Sequence, residues 1–535
     1  MSAKIDLSTY SNLSPFQIKD ELIKLAEDEA QNSAYAYLNA GRGNPNWIAT
    51  KAREAFFLLG QFALTEAQLT RHEPAVGLAG MPKGPGAYDR LVGHVTEHSA
   101  TPGAETLRAT VDFAVDKFGF DRDAFVLELT DGIIGDHYPM PDRMLKHGEK
   151  IVHEYLMWAM CDGKTPNTEF DLYAVEGGTA AMCYIFKALK NQRLLNAGDT
   201  IALGTPIFTP YLEMPELEDY ALETVHITVK EKNQFQFTDQ DFEKLADPKV
   251  KALFLVNPGN PSSVAMSQEA LEKLVAFVTT RRPDLIILTD DVYGTFVKGF
   301  QSVMGHLPRN TIGVYSYSKY FGCTGWRLGV IATAKDNLFD QMIAEAPTDV
   351  KSVVEKRYLT LSPDPASMKF IDRIVADSRD VALNHTAGLS TPQQVMMSLF
   401  SLVELMDTGK AYQKVCMGIL EHRFGELVKG LGIEVEDNPL FDRYYGIIDF
   451  EFWLSKYVGE DVVAWIRANV HPLDISFKLA QEHGIVLLNG SGFDAPDWSA
   501  RVSFANLDDD AYAKIGEAVR ALATQYVAAY HASKN

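Results

Sequence analysis

From about Asp171 onward, short apolar runs alternate with helix-like stretches, and this alternation constrains the fold more than any other feature of the chain. The strand candidates are Leu172–Val175, Thr200–Leu203, Ala252–Val256, Leu285–Thr289, Ile312–Tyr317 and Leu328–Ala332. Helix candidates lie between them, including Ala180–Asn191 and Gln268–Thr280. Strands separated by helices make a mostly parallel α/β sheet, because parallel neighbours need a long crossover. Ligands of such sheets bind beyond the carboxyl ends of the strands.

One of those ends carries Tyr315-Ser316-Tyr317-Ser318-Lys319-Tyr320-Phe321-Gly322-Cys323-Thr324-Gly325-Trp326-Arg327-Leu328-Gly329. A lysine among small residues at the end of a buried strand is a poor structural choice, since burying an ammonium costs several kcal/mol. It is a good chemical choice, because a lysine with a depressed pKa forms Schiff bases. The two serine hydroxyls and Arg327 would then hold a phosphate, the arginine through a planar two-point fork.

The spacing S-x-S-K-x-x-G-x-x-G-x-R-x-G resembles the cofactor-lysine segment of the fold-type-I pyridoxal phosphate (PLP) enzymes, the aspartate aminotransferase superfamily. Further motifs follow in the superfamily's order. Glu176-Gly177-Gly178-Thr179-Ala180 joins a strand to a helix, and the free N–H groups of a helix start with a threonine hydroxyl make an anion site. Phe208, in Pro206-Ile207-Phe208, stands where the superfamily stacks an aromatic on the cofactor ring. A core phenylalanine is the other reading. Asn257-Pro258-Gly259-Asn260-Pro261 resembles N-P-x-N-P-T-G, whose second Asn bonds the ring oxygen; Ser262-Ser263 replaces Thr-Gly. Asp290-Asp291-Val292-Tyr293 resembles D-E-x-Y, which implies Asp290 on the ring nitrogen and Tyr293 beside Asn260. Lys319, Gly178, Thr179, Phe208, Asn260, Asp290, Tyr293, Ser316, Ser318 and Arg327 are thus the cofactor residues that the resemblance implies. Tyr138, in Tyr138-Pro139, resembles the tyrosine that reaches the neighbouring subunit's phosphate, or is an ordinary turn tyrosine.

On the substrate side, Arg501-Val502-Ser503-Phe504-Ala505 resembles R-[IVL]-S-x-A, whose arginine grips an α-carboxylate, so an α-amino acid is implied. Dicarboxylate aminotransferases carry a second arginine near the stretch that corresponds to Asn384–Thr391, and none stands there. Arg42, in Gly41-Arg42-Gly43-Asn44-Pro45, occupies a loop position that is usually apolar in the superfamily. It either faces the site and holds a side-chain carboxylate or points to solvent. Chain length, the Gly-Arg-Gly-Asn-Pro loop and the lysine segment together are similar to the aspartate 4-decarboxylases, the bifunctional aspartate aminotransferase and β-decarboxylase family. That resemblance implies conversion of L-aspartate to L-alanine and CO2, with aminotransferase side activity. A plain aspartate-type aminotransferase is the alternative.

The resemblance also implies an α/β architecture with a mostly parallel seven-stranded sheet in a large PLP-binding domain, 136–389. A smaller α+β domain would combine 1–47 with 390–535, and 48–135 would be a mostly helical insertion. Ser14-Pro15-Phe16-Gln17 reads as a capping box opening a helix to about Gln31. Lys51–Leu69 and Glu105–Phe118 read as helices around a Gly/Pro-rich turn region, Gly77–Gly86. Beyond 390, Pro392–Leu405, Tyr412–Lys429 and Asp508–Tyr530 read as helices; Gly432–Glu436, Gly446–Phe452, Ile485–Leu488 and Arg501–Phe504 read as strands. Homodimers assembled further, to a dodecamer, are implied by the family.

Other classes are weaker. His94-Val95-Thr96-Glu97-His98 matches the H-x-x-E-H zinc-peptidase pattern, with both histidines on one helical face but no evident third ligand. No metal is expected. A net charge of -21 argues against a nucleic-acid partner, and the first forty residues do not make the basic arm of a PLP-domain regulator. Four cysteines without C-x-x-C spacing, no apolar leader and no run long enough to span a bilayer lead to the expectation of a cytoplasmic protein without a membrane partner.

Overall fold

The computed structural model describes residues 7–10, 13–32, 37–139, 141, 143–379 and 388–534. Seven strands form the central sheet: β1 (Phe170–Val175), β2 (Thr200–Thr205), β3 (Glu223–Thr228), β4 (Val250–Val256), β5 (Ile286–Asp290), β6 (Thr311–Ser316) and β7 (Gly329–Ala334). Their order is β1-β7-β6-β5-β4-β2-β3. Strand β7 runs antiparallel to both its neighbours, and every other pairing is parallel. β3 was not among the strands read from the sequence. It lies at the sheet edge and alternates polar with apolar residues, so it lacks the apolar run of a central strand.

The strand alternation feeds two faces. Ile201, Leu203, Phe254 and Leu288 pack on one side with Ile185 and Leu189 of helix Gly178–Asn191. Ala202, Leu253, Leu255 and Ile287 pack on the other with Leu271, Leu274 and Val278 of helix Gln268–Arg281. A parallel sheet covered on both faces must be apolar in both registers, and this one is.

The stretch read as an insertion folds as helices Thr50–Thr70, Ala87–Glu97, Ala104–Phe118 and Arg122–Ile134. Their apolar faces share one continuous core with helices Lys146–Cys161 and Thr391–Met406 and with Tyr315, Val330 and Ala332 of the sheet. At the chain's start, Gln17 Oε1 accepts from the Ser14 N–H at 3.1 Å and opens helix Pro15–Asn32. Leu38–Asn39 then pairs in parallel with Ile485–Val486, joining the N-terminal segment to the C-terminal region.

That region holds an antiparallel sheet in the order β8 (Tyr445–Asp449), β10 (Ser499–Ser503), β9 (Leu488–Asn489). Two expectations fail here. Gly432–Glu436 is not a strand: it leaves helix Ala411–Leu431 through Gly432 at φ +68 and stays irregular. The strand expected to run to Phe452 stops at Asp449, whose carboxylate accepts from the Phe452 N–H at 3.0 Å and caps helix Phe450–Tyr457.

Helices Ala411–Leu431 and Ala511–Ser533 cross through glycines. A Cβ on Gly430 would lie 2.2 Å from the Ala513 carbonyl, and one on Gly516 would lie 2.4 Å from the Leu427 carbonyl. Gly516→Val should therefore cost about 1–3 kcal/mol by forcing the helices apart. Gly418→Ala, in the first of these helices with nothing within 4 Å of its Cβ position, should be neutral or stabilising by up to about 1 kcal/mol. Calorimetric thermal midpoints of the two variants check the contrast.

Candidate active site

Lys319 stands on a loop that begins where β6 ends. Its Nζ is half-buried and donates to the Gly43 carbonyl at 2.9 Å. The backbone after the lysine is tied down carbonyl by carbonyl. Tyr320 O accepts from Trp47 Nε1 at 3.1 Å and from the Tyr412 hydroxyl at 2.9 Å. Phe321 O and Gly322 O accept from Arg53 Nη1 and Nη2 at 3.2 and 2.8 Å. Gly322 has φ +57, and a Cβ there would lie 1.8 Å from the Trp47 carbonyl, so the loop presses backbone to backbone on the Trp47 segment. Arg53 belongs to helix Thr50–Thr70, so the helical stretch 50–134 supports the lysine directly.

Behind Lys319, a cradle forms at the start of helix Gly178–Asn191. Gly177 has φ +94, and a Cβ on it would meet Arg327 Nη2 at 2.5 Å. A Cβ on Gly178 would lie 3.5 Å from Asp290 Oδ2 and 3.9 Å from both Ser316 Cβ and the Tyr211 hydroxyl. Ser316 Oγ donates to Ser318 Oγ at 2.9 Å, and Thr179 follows Gly178 at the helix start. Arg327 donates to Thr324 O at 2.8 Å and to Glu176 O at 3.2 Å, and among the described residues no carboxylate pairs with it. Free helix-start N–H groups, hydroxyls and a guanidinium around glycines fit a phosphate.

Beyond the cradle, Asp290 Oδ2 accepts from the Tyr211 hydroxyl at 2.7 Å and Oδ1 from the Val292 N–H at 3.2 Å. Burial pushes the Asp290 carboxyl up, and Tyr211, the Val292 N–H and the Lys319 charge oppose it. Asp291 faces away, bonded by Thr289 and Ser302 at 2.6 and 2.5 Å. Phe208 packs edge-on against Tyr211 with centroids 5.3 Å apart. Asn260 Nδ2 donates to the Tyr293 hydroxyl at 3.4 Å, and Asn260 Oδ1 accepts from Arg501 Nη1 at 3.1 Å.

Arg501, on β10, is 2% exposed. Its Nη2 donates to the Gly41 carbonyl at 2.9 Å, its Nε finds no partner among the described residues, and its guanidinium lies 4.2 Å from the Tyr445 ring centroid. The structure thus gathers Lys319, Gly178, Thr179, Phe208, Asn260, Asp290, Tyr293, Ser316, Ser318, Arg327 and Arg501 around one space. Arg42 follows Gly41 on the same loop, with an exposed side chain. Tyr138 lies on a turn, 61% exposed. Residues 384–387 lie outside the described residues.

Three site tyrosines were not read from the sequence. Tyr211 follows Phe208 by three residues, a spacing that could have signalled it. Tyr444 and Tyr445 carry no motif; the Tyr444 hydroxyl donates to the Gly43 carbonyl at 2.9 Å. The zinc pattern leads nowhere near this space. His94 and His98 stack with centroids 4.2 Å apart, and His98 Nδ1 is bonded to the His94 carbonyl at 2.8 Å. Among the described residues, the trio of ligand atoms within reach of one ion is Asp131, Asp136 and His137, which includes neither.

Under the lysine loop, the Tyr320 hydroxyl donates to Glu404 Oε1 at 2.6 Å. Burial pushes the Glu404 carboxyl up to about 7, against the pull of Tyr320. A carboxyl raised on folding gives stability that is full below its unfolded value near 4.5 and is lost as pH rises through about 7. Glu404→Gln keeps an acceptor for Tyr320 and removes the titration. The variant should therefore lose less thermal stability than the parent between about pH 5 and pH 8, a difference of up to a few kcal/mol, measurable by calorimetry at both pH values.

Comparison with known proteins places this geometry. The model of the class I and II aminotransferases matches residues 160–348. The bifunctional aspartate aminotransferase and L-aspartate beta-decarboxylase of a Pseudomonas species is 48% identical over 98% of this chain and 99% of its own. The solved aspartate aminotransferase of Thermus thermophilus, a single mutant, superposes with a TM-score of 0.60 at 15% identity, covering 98% of this chain and all of its own (100%). The aromatic aminotransferase of Pyrococcus horikoshii gives 0.55 at 17%, covering 94% and 99%. The two structures share the fold, and the Pseudomonas relative extends the likeness over nearly every residue, including the helical stretch 50–134 that supports Lys319. The chain belongs to the class I and II aminotransferases, pyridoxal-phosphate-dependent enzymes of fold type I, in the family of the bifunctional aspartate aminotransferase and L-aspartate beta-decarboxylase.

Proposed function

We propose that the protein removes the β-carboxylate of L-aspartate, giving L-alanine and CO2, and transaminates aspartate as a side reaction. The observation that carries this reading is the near full-length likeness to the Pseudomonas enzyme. The site's charge supports it: Lys319, Arg327 and Arg501 converge on one space with Asp290, an arrangement suited to a phosphate and a carboxylate together.

Pyridoxal phosphate, when bound, supplies an aldehyde for imine exchange and a protonated ring that accepts an electron pair. The cradle of Gly178, Thr179, Ser316, Ser318 and Arg327 would hold its phosphate. Asp290 would pair with the ring nitrogen, its carboxylate fixed by Tyr211. Asn260 and Tyr293 would serve the ring oxygen, and Phe208 would cover the ring. Arg501 grips the α-carboxylate with a fork whose orientation Asn260 and the Gly41 carbonyl set. Lys319, aimed by the Gly43 carbonyl, takes the α-proton and returns it, as general base and then general acid. Arg42 steers the side-chain carboxylate from the loop that also carries Gly41 and Gly43. Trp47 and Tyr444 close the site around Gly43 and keep water out, which favours alanine over a keto acid.

Tyr138 completes the phosphate site of a neighbouring subunit, in keeping with its exposure on a turn. Helix Thr50–Thr70 turns Phe57 and Leu64, 62% and 57% exposed and seven residues apart, to one outer face. This apolar face serves the further assembly of dimers, to a dodecamer. Four unpaired cysteines suit a cytoplasmic location; among the described residues no helix is long and apolar enough to cross a membrane.

Product analysis with aspartate tests the reaction. Alanine and CO2 should form in equal amounts without added keto acid, and oxaloacetate formed only with stoichiometric keto acid would leave a plain aminotransferase. Lys319→Ala should lower turnover by at least about 10²-fold and remove the lysine that borohydride reduction labels; a label found on another lysine refutes the assignment. Light scattering should give an assembly of dimers, and a fully active monomer would dismiss a shared site.

A further inference from the structure

Tyr445 stands at the centre of the site without a task in the reaction described so far. It is 2% exposed on β8, and its backbone N–H donates to Ser263 Oγ at 2.9 Å, in the turn that carries Asn260. The Tyr293 hydroxyl donates to its hydroxyl at 3.5 Å, and Arg501 covers its ring at 4.2 Å. At Gly43 a Cβ would lie 2.4 Å from the Tyr445 hydroxyl and 3.1 Å from Lys319 Nζ. The phenol and the amine therefore face one another across a single point, and only a glycine leaves that point open.

The charged and titratable groups around this phenol are Lys319, Arg501, Tyr293, Tyr444 and Asp442. Burial alone would raise it, and Asp442 adds to that. Lys319, Arg501 and the Tyr293 hydroxyl together outweigh both, and the phenol falls below its ordinary 10.0.

We propose that Tyr445 is a catalytic residue, the acid that protonates the substrate's β-carbon as CO2 leaves. The proposal rests on the decarboxylase reading and adds the proton donor it lacks. Lys319 is occupied with the proton that moves to and from the α-carbon. When the bond from Cβ to its carboxylate breaks, CO2 departs neutral and the electron pair stays with Cβ. That pair forms a new C–H bond with the Tyr445 hydroxyl proton. The phenolate left behind sits between Arg501 and Lys319 and recovers a proton from water after the product leaves. The net change consumes one proton, releases one CO2 and involves no oxidant.

Tyr445→Phe keeps the ring against Arg501 and removes the hydroxyl. CO2 release from aspartate should fall by at least about 10²-fold, while exchange of the L-alanine α-hydrogen in D2O, which needs Lys319 and Arg501 but no proton at Cβ, should change by less than about 3-fold. The near-ultraviolet titration of the cofactor-free protein, compared with the parent, should lack one tyrosine that ionises below 10.0. Lys319→Ala should move that ionisation to higher pH, because it removes a neighbouring cation. Unchanged CO2 release, an exchange rate that falls in step with it, or no missing tyrosine would each overturn the proposal. A parent enzyme that releases no CO2 at all refutes the decarboxylase reading itself, and this is seen before any variant is made.

Discussion

Arg501 is a guanidinium taken out of water, with no carboxylate against it among the described residues. Its hydrogen bonds go to an amide oxygen and a backbone carbonyl, its Nε meets no partner among the described residues, and its remaining surface lies on the rings of Tyr445 and Phe493. A lone buried cation costs several kcal/mol, so the surroundings of Arg501 are organised to make that tolerable. Three strands from two sheets converge on it: β10 bears it, the turn after β4 supplies Asn260, and β8 supplies Tyr445. The Gly41 loop closes the fourth side. An incoming carboxylate would relieve the cost, so substrate binding draws on free energy already stored in the fold.

The same logic explains which parts of the molecule were legible in the sequence. Lys319, Asp290 and Asn260 are polar residues at or just past strand ends, Arg501 is a charged residue inside a buried strand, and the order of their motifs carried the architecture with them. The tyrosines gave no such signal. Tyr445 and Tyr211 meet Arg501 and Asp290, whereas Tyr155, equally buried, packs on Tyr315 and Tyr317 behind the lysine loop. In the sequence all three are aromatic residues without a motif, and only the fold distinguishes them. Glu223–Thr228 was missed as a strand because an edge position relaxes the demand for apolar residues on both faces. Gly432–Glu436 was misread in the opposite sense. Ile433 and Val435 alternate as in a strand, yet among the described residues no strand pairs with them.

The helical stretch 50–134 was legible as helix but not as support. Its outward appearance in the sequence is that of an addition to the superfamily's plan. In the structure its first helix carries Arg53, which holds two successive carbonyls of the lysine loop, while Trp47 just before it holds a third. Helix Thr391–Met406 adds Glu404 and Ser401, which bind Tyr320 and Tyr317 on either side of Lys319. A loop bonded at so many backbone points has few conformations left, and an amine on such a loop is presented in one place. Precision of that kind is what proton transfer at defined carbons requires.

Under the proposed reaction, the two carboxylates of aspartate meet very different fields. The α-carboxylate pairs with Arg501, which is buried. At about 4 Å, opposite charges attract by about 4 kcal/mol at an effective dielectric near 20, against about 1 kcal/mol in bulk water. The side-chain carboxylate has Arg42, whose side chain is exposed and therefore close to the water limit. Firm pairing of the β-carboxylate would stabilise the charged ground state and would be lost as that group becomes neutral CO2, which raises the barrier. Loose pairing avoids that penalty, and firm pairing at the other end keeps the substrate in register. An aminotransferase acting on a dicarboxylate has the opposite need, since both carboxylates survive its reaction and a second buried cation costs it nothing in the transition state. Under the proposed reaction, one arginine in the core and the other at the surface is thus an electrostatic arrangement that suits decarboxylation better than transamination.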